Sequence, residues 1–343
     1  MKSIVFFNNK GGVGKTTLTY HLAHMLSRLG YRVLAADFDP QANLTSACLD
    51  DEQVAAIWEP DFGKNSVLSA LSPILRGTGD IALPNPFAVA DHLWLLAGDL
   101  GLSRFEERLS AAWPSGYNRD PAALRVTTAF HRLVDATARQ LEVDVALVDV
   151  GPNLGAINRS AILAADHIVV PLAADLYSLQ GLRNLGPTVR EWRESWDDVR
   201  SKNSSNPGID FALPTGQMSP AGYVVLQHAV RLDRPVKAYQ VWLARIPGAY
   251  SDYVLNERQA AGSTDTDPNC LATLRNYRSL MPYAQEARKP MFDLKPGDGA
   301  IGGHQSLVQI CYEEFKGLAL EVARRCGLPS FTDLRQTTNV EDT

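Results

Sequence analysis

The sequence is poor in the features that mark several large classes of protein. Only four of its 343 residues are cysteine, and they form no C-x-x-C pair. This predicts reduced thiols and argues against a metal or iron–sulfur site. No run of about 18 apolar residues is present, so no membrane-spanning segment is expected. The first residues read directly into a strand pattern, which leaves no room for a signal peptide. We therefore expect a cytoplasmic protein.

A strong net charge is also missing. The formal net charge is −5, and the hydrophobic and charged fractions are 45% and 21%, which are ordinary values for a globular chain. Nucleic acid does not attract such a molecule as a whole, so any affinity for DNA must come from a local patch. The seven histidines are dispersed. His21 and His24 share one helical pattern, but no third ligand accompanies them, and they predict a packing or solvated face.

The first strong pattern is a glycine-rich segment that lies between an apolar run at residues 3–7 and a helical pattern. It reads Asn8-Asn9-Lys10-Gly11-Gly12-Val13-Gly14-Lys15-Thr16-Thr17. Strand, glycine-rich turn and helix form the context that a phosphate-binding loop requires, because inward N–H groups and a helix N-terminus favour anions. We predict that residues 10–17 bind a nucleotide, that Lys15 reaches the β- and γ-phosphates, and that the Thr16 hydroxyl ligates Mg²⁺.

This segment departs from the strict pattern G-x-x-x-x-G-K-[ST] and adds a second lysine. Asn9 stands where the first glycine belongs, and Asn is one of the few other residues that tolerate a left-handed backbone. Lys10 precedes the glycines, although a phosphate loop needs only one lysine. The run K-G-G-V-G-K-T-T resembles the deviant Walker A motif of the ParA/MinD family of ATPases. In that family the first lysine crosses a dimer interface to the partner's nucleotide, which the resemblance implies for Lys10.

Two further segments place carboxylates where parallel strands are expected to end. Residues 31–36 predict a buried strand followed by Asp37 and Asp39, whose i, i+2 spacing directs both side chains toward a ligand crevice. A D-x-D-P sequence is also a common strand-ending turn, so the pair is informative because it follows the phosphate loop by one helix. The apolar run at 143–149 ends in Asp149. It has the Walker B pattern, in which the Asp accepts a hydrogen bond from a water on Mg²⁺.

The resemblance to the ParA/MinD family extends to both acidic segments. The run D-x-D-P-Q-x-N at 37–43 is similar to the family's first switch, and D-x-x-P-x-L-G at 149–155 is similar to its second. Gly151 is a departure, because proline or alanine is more usual there. The resemblance implies that Asp39 places the attacking water and that Asp37 supports the Mg²⁺ shell. The implied catalytic residues are Lys10, Lys15 and Asp39, and the implied metal ligands are Thr16, Asp37 and Asp149.

The alternation of strand and helix patterns predicts an α/β fold. We expect a doubly wound, mostly parallel sheet flanked by helices, which is the P-loop NTPase fold of the deviant Walker A type. The expected organisation is one ATPase domain at 1–328, with insertions near 50–120, 191–219 and 250–275, and a polar tail at 329–343. Local patterns predict a strand at 92–96, a helix from Asp120 to Leu141, a helix end and exposed loop at 191–219, and a last helix closed by Gly327.

The carboxyl-terminal half carries the weaker predictions. Residues 222–227 and 241–247 predict two more strands, and the second resembles a family strand with an I-P ending. Adenine is held near these strand ends in the family, so the resemblance implies Gln227 and Pro247 as adenine contacts. Two basic stretches, 231–237 and 271–290, could give weak, salt-sensitive DNA binding without sequence preference. An ordinary solvated surface explains either stretch equally well.

The motifs and the resemblance together predict an ATPase whose cofactors are ATP and Mg²⁺. It would form a homodimer with ATP, hydrolyse ATP to ADP and phosphate, and turn over slowly without a stimulating partner protein. The favoured role is DNA partitioning or cargo positioning, with non-specific DNA binding at the nucleoid. The alternative is an ATPase subunit of a secretion or defence complex that acts through a protein partner. A membrane-surface positioner is disfavoured because the tail lacks an amphipathic anchor. A nitrogenase iron-protein type is disfavoured because its cysteine ligands are missing.

Overall fold

Eight strands form one sheet in the part of the chain that a computed structural model describes, residues 1–59, 65–226, 236–257, 262–277 and 279–329. The strands are β1 (Lys2–Phe6), β2 (Val33–Asp37), β3 (Phe87–Ala90), β4 (Leu93–Leu96), β5 (Val145–Asp149), β6 (His167–Leu172), β7 (Ser219–Leu226) and β8 (Cys270–Leu274). Their order across the sheet is β3-β4-β2-β5-β1-β6-β7-β8. β3 pairs antiparallel with β4, and the other pairings are parallel. The predicted mostly parallel sheet is confirmed.

The central strands are buried on both faces and end together. Every residue of β2 and β5 is buried, as expected for parallel strands covered by helices on both sides. The register pairs Phe6 of β1 with Asp149 of β5, and Asp149 in turn with Asp37 of β2. The segments that follow these three strands therefore meet at one edge of the sheet, where ligands bind in folds of this type.

Helices cover both faces of the sheet. They are α1 (Lys15–Arg28), α2 (Asn43–Cys48), α3 (Asp51–Trp58), α4 (Val67–Arg76), α5 (Arg104–Gly116), α6 (Pro121–Thr127), α7 (Ala129–Gln140), α8 (Ala156–Leu163), α9 (Leu176–Asn203), α10 (Val236–Leu243), α11 (Ile246–Ala249), α12 (Met281–Ala287) and α13 (Gly303–Arg325). Alternate residues of the strands point to opposite faces of the sheet and belong to two hydrophobic cores. One core joins the sheet to α4–α9 and α11, and the other joins it to α1–α3, α12 and α13. None of the described helices combines the length and apolar character needed to cross a membrane.

The local helix and strand predictions are partly confirmed. The strand predicted at 92–96 is β4, and the last helix is α13, after which Gly327 adopts a φ of +66°. The helix predicted from Asp120 to Leu141 starts as expected, with the Asp120 side chain accepting from the Ala122 N–H, but it divides into α6 and α7 at Thr128. The Thr128 hydroxyl donates to the Leu124 carbonyl at 2.7 Å, a local bond that competes with regular helix geometry.

The strand predicted at 241–247, in the second half of the chain, is wrong. Residues 241–247 form the end of α10 and the start of α11, not a strand, and a π-helical turn at Tyr250–Leu255 follows. The strand that pairs with β7 is β8, which lies inside the insertion predicted at 250–275. Short apolar runs do not distinguish helix from strand by periodicity alone. Within the helix end and loop predicted at 191–219, α9 continues to Asn203 with Trp192 and Trp196 in the core, and a segment without helix or strand follows up to β7.

Candidate functional site

The glycine-rich loop leads from β1 into α1 at the carboxyl edge of the sheet. Gly14 caps α1 with a φ of +91°, a left-handed conformation that costs glycine little. The first turn of α1 has no acidic residue, so its positive end is available to an anion. A cavity of about 770 Å³ opens over this turn, a volume typical of small-ligand sites. All seven predicted loop residues from Gly11 to Thr17 line it.

Lys15 lies on the inner side of the loop. Its Nζ atom donates to the carbonyl oxygens of Asn8 and Lys10 at 3.2 and 3.4 Å, and the residue is 7% exposed. Burial lowers the pKa of Lys15, while the charges of Asp149 and Asp39 oppose that change. The loop therefore holds a buried cation directly beneath the cavity, where it can meet negatively charged phosphate oxygens.

The three predicted carboxylates lie together beside Lys15. Asp149 Oδ2 accepts from the Thr16 hydroxyl at 2.7 Å, and Asp37 Oδ2 accepts from the N–H and hydroxyl of Thr45 at 2.9 and 2.7 Å. Asp39 lines the cavity. Burial, with repulsion from Asp37, raises the pKa of Asp149 well above its usual range. Burial also raises the pKa of Asp37 to about 6, although its hydrogen bonds with Thr45 oppose this change.

The acidic group fits a divalent cation that arrives with a nucleotide. Asp149 Oδ1 is buried and has no hydrogen-bond partner among the described residues, and burial together with the neighbouring acids raises the pKa of both Asp149 and Asp37. The described residues contain no cluster of three His, Cys, Asp or Glu side chains that could hold a metal ion unaided. Mg²⁺ usually takes one or two carboxylates and completes its shell with phosphates and water. Thr16 and Asp149, with Asp37 behind them, suit that arrangement.

Lys10 is separated from Lys15 and points to the outer side of the loop. Its Nζ atom forms an ion pair with Asp175, the residue that caps α9 by accepting from the Ser178 N–H at 2.8 Å. Burial alone would raise the pKa of Asp175, but the hydrogen bonds from Lys10 and Ser178 outweigh it and lower the pKa. Lys10 is not among the residues that line the cavity over the loop, so the two lysines serve different surfaces of the same turn.

The structure does not support the predicted adenine contact at Pro247. This residue is buried in α11, which packs against α9 and the π-helical turn, and it lines neither cavity next to the loop. Gln227 lies outside the described residues. The second cavity, of about 170 Å³, lies between the loop and the ends of β7 and β8, and its lining includes Leu226, Leu274 and Tyr277. The prediction of Pro247 depended on a strand at 241–247, which the structure replaces with the end of α10 and the start of α11.

The basic residues proposed for DNA binding are mostly paired with acids. Arg275 pairs with Glu314, Arg288 with Asp51, and Lys289 with Asp298, at 2.9, 2.7 and 2.7 Å. Arg288 and Lys289 also line the cavity over the phosphate loop. Of the other stretch, residues 231–235 and the side chains that follow them lie outside the described residues. The described part of these stretches therefore gives little support to a DNA-binding surface.

Sequence reasoning overlooked Asp175, and for His21 it predicted only a packing or solvated face. Asp175 holds Lys10, and an acid three residues before Ser178 is a helix-capping signal that could have revealed it. His21 lies in α1 with its Nδ1 2.7 Å from the Thr17 carbonyl, and the Met291 N–H donates to its Nε2 at 3.1 Å. Burial lowers the pKa of His21 to about 4. Through these contacts it ties α1 to the segment after α12, as a packing residue does.

Together, the fold and this edge of the sheet define a P-loop nucleotide-binding protein of the α/β class. Comparison with known proteins narrows the class. The family described as AAA domain (AAA_31) matches residues 1–201, more than half of the chain. The chain belongs to this family, within the ParA/MinD group of P-loop ATPases.

Individual relatives agree with this assignment. The chain is 32% identical over 197 residues to the cell division protein PomZ of Myxococcus xanthus, a match that covers 57% of this chain and 53% of PomZ. It is also 32% identical over 193 residues to the chromosome-partitioning ATPase Soj of Thermus thermophilus, which covers 56% and 63% of the two chains. The matched region therefore spans about half to two thirds of these relatives.

Solved structures match over nearly the whole chain. Protein DIP2308 from Corynebacterium diphtheriae gives a TM-score of 0.69 at 25% identity and covers 95% of this chain and 99% of its own. An ATP complex of McdA from Cyanothece gives a TM-score of 0.60 at 17% identity and covers 96% and 98%. The second likeness shows a common fold, including the carboxyl-terminal half that the family match does not reach.

Proposed function

We propose that this protein is an ATP-dependent dimerising switch that hydrolyses ATP to ADP and phosphate and works in DNA partitioning or cargo positioning. The arrangement of two lysines on one phosphate loop carries the proposal. Lys15 is buried among carboxylates under the cavity, whereas Lys10 is held on the outer side by a single ion pair. A loop that served one nucleotide in one subunit would need only the inner lysine.

The residues of one subunit divide the work of binding and positioning. Backbone N–H groups of the loop and Lys15 bind the phosphates, and Thr16 with Asp149 and Asp37 would hold Mg²⁺, which would neutralise the phosphate charge. Asp39 lies beside them and orients the attacking water. Phosphoryl transfer depends mainly on positioning and charge neutralisation, and this set of groups can provide both.

The surface around Lys10 supports a dimer that closes over the nucleotide. Leu176 and Tyr177 directly follow Asp175 and are 55% and 70% exposed. Exposed apolar residues beside a functional charge are typical of a protein interface. When two copies close face to face, Lys10 would leave Asp175 and reach the partner's phosphates, and the apolar side chains would be covered.

The proposed role rests on the relatives and not on the basic residues of this chain. PomZ is a cell division protein and Soj a chromosome-partitioning ATPase, and we propose a role of this kind for the present chain. Arg275, Arg288 and Lys289 are already paired with acids. We therefore propose non-specific DNA binding by the ATP dimer on family grounds, together with a partner protein that stimulates hydrolysis.

Size-exclusion chromatography of Asp39→Ala with Mg·ATP tests the proposal. Without the water-orienting carboxylate, the variant should accumulate as an ATP dimer, and the same protein with ADP should elute as a monomer. Duplex DNA should co-elute with the dimer at low salt and separate as salt rises. Lys15→Ala is the control, since it should not dimerise under any of these conditions. A variant that turns over ATP normally would assign the water-orienting role to another residue.

The same experiment separates the two roles left open by the sequence. A dimer that co-elutes with DNA supports partitioning or positioning on a DNA track. An ATP dimer that ignores DNA at every salt concentration would retain the switch and favour an ATPase subunit that acts through a protein partner.

A further inference from the structure

The helix that follows the second switch is capped by a distant carboxylate. Gly155 is the N-cap of α8 and offers no side chain. Instead, the N–H groups of Ala156 and Ile157 donate to the two oxygens of Glu106 at 2.6 and 2.9 Å. Glu106 belongs to α5, about 50 residues earlier in the chain. Its bidentate contact with a helix N-terminus is a charge-assisted bond that also matches the helix dipole.

The backbone at Gly155 is shaped to admit this carboxylate. A Cβ atom at position 155 would lie 2.6 Å from Glu106 Oε1, so a side chain there would force the carboxylate to shift. The φ of Gly155 is −75°, so glycine provides room for Glu106 here and not a special backbone conformation. The contact therefore depends on two residues, the Glu106 carboxylate on α5 and Gly155, which has no side chain, at the end of the second switch.

The capped helix in turn holds the loop of the second switch. Asn158 on α8 is buried, and its Nδ2 donates to the carbonyl oxygens of Gly151 and Asn153 at 2.8 and 2.6 Å. Gly151 faces Asp39, since a Cβ at 151 would lie 3.3 Å from Asp39 Oδ1. A continuous set of contacts thus runs from Glu106 through α8 and the 150–155 loop to the carboxylate assigned to the attacking water.

We propose that Glu106 is a positioning residue for ATP hydrolysis, which fixes the second switch against Asp39 by clamping the start of α8. This inference rests on the proposed function, because it concerns the geometry of that site. Glu106 reaches α8 and not the nucleotide cavity, so its removal affects the arrangement of the reacting groups while the phosphate loop remains whole. The expected signature is a fall in kcat with little change in the KM for ATP.

Glu106→Ala and Glu106→Gln test the clamp, and Glu107→Ala is the matched control because Glu107 is the exposed neighbour on the same helix. Glu106→Ala should lower kcat about tenfold with KM within about twofold, since small misplacements of reacting groups are costly. Glu106→Gln keeps one acceptor and should lower kcat about threefold. Hydrogen exchange at the Ala156 and Ile157 amides should accelerate about tenfold in Glu106→Ala. Glu107→Ala should match the wild type in each measurement.

The outcomes separate this inference from the proposed function. Wild-type protein that binds ATP but never hydrolyses it, even as a dimer, overturns both. Wild-type turnover that Glu106→Ala leaves unchanged overturns the positioning role alone, whatever happens to the two amides. If Glu106→Ala lowers Tm and its lower activity comes entirely from a smaller folded fraction, with normal kcat per folded molecule, Glu106 is only a structural cap. If Glu106→Ala does not fold, Glu106→Gln decides, and a wild-type kcat in that variant contradicts the proposal.

Discussion

The inner and outer sides of the phosphate loop carry one lysine each, and the two lysines meet opposite environments. On the inner side, Lys15 is almost fully buried and shares the site with Asp37, Asp39 and Asp149. On the outer side, the Lys10 side chain is 24% exposed and pairs with Asp175 alone. The inner lysine is part of a fixed site within its own chain, whereas the outer lysine has a partner that it can exchange.

The largest effect is expected on the inner side. Lys15→Ala leaves three buried carboxylates next to the phosphates without the opposing charge of Lys15, so ATP affinity should fall about 100-fold or more. Titration with a fluorescent ATP analogue measures it. Lys2→Ala, which removes an exposed lysine at the opposite edge of the sheet, should bind ATP as the wild type does. Unchanged affinity in Lys15→Ala would disprove the assignment of the phosphate site.

On the outer side, Lys10→Ala should separate binding from dimerisation. The lysine lies outside the cavity of its own chain, so ATP affinity should stay within about threefold of the wild type. The ATP dimer should be lost, since the phosphates of the ATP in each subunit no longer meet a lysine from the partner. Light scattering coupled to size-exclusion chromatography measures the mass with Mg·ATP. A variant that still dimerises and hydrolyses ATP would contradict the proposal that Lys10 acts on the partner's nucleotide.

The acidic group of the inner side gives a prediction about pH. Burial raises the pKa of Asp149 above that of an unfolded Asp, so the folded chain retains a proton that the unfolded chain has released. Stability conferred by that proton is therefore lost as pH rises through the folded pKa. Without metal or nucleotide, Asp149→Asn should raise Tm by about 2 °C at pH 8, and this difference should narrow toward pH 5.

Mg·ATP supplies the control for that measurement. It should raise the Tm of the wild type at pH 8 and have a smaller effect on Asp149→Asn, which has lost a metal-binding carboxylate. A variant less stable than the wild type at pH 8 and without ligand would show that the charge of Asp149 is already balanced in the folded protein.

The smallest effect is expected from the partner of Lys10. Asp175→Asn removes the ion pair but keeps a good N-cap for α9, so the change releases Lys10 without unravelling the helix. An ion pair of this kind contributes at most about 0.5 kcal/mol, and the dimer gives up two of them. The protein concentration at which half the molecules are dimers with Mg·ATP should therefore fall about two- to fivefold. Analytical ultracentrifugation gives this value, and a weaker dimer would show that Asp175 supports the closed state instead.

The phosphate site was accessible to sequence reasoning because its parts are local in the chain. The loop needs glycines at fixed spacing between a strand and a helix, and Asp37 and Asp149 end two short apolar runs whose place next to the loop and its helix indicates buried strands. The parallel sheet then brings these ends together without further information. The fold class follows from the same alternation of strand and helix.

The contacts that sequence reasoning overlooked join distant parts of the chain. Glu106 reaches α8 across about 50 residues, and Lys10 reaches Asp175 across 165. The capping signal at Asp175 is local, but no local pattern shows which distant residue either carboxylate contacts. The strand misplaced at 241–247 has a related cause, because its short apolar run fits a helix equally well until β8 takes the place beside β7. Packing against neighbouring elements decides whether such a segment forms a helix or a strand, and the local sequence does not show which neighbours it will have.

The long helix α9 connects the ion pair of Lys10 with a distant part of the molecule. This helix has 28 residues, which corresponds to about 42 Å at 1.5 Å per residue. It begins at the carboxylate that holds Lys10, and at its far end Asn203 donates to the Gly116 carbonyl at the end of α5. A tilt of about 5° at the first turn shifts the last turn of such a rod by about 4 Å. In the proposed dimer, we therefore expect the departure of Lys10 from Asp175 to move the far end of α9 as well.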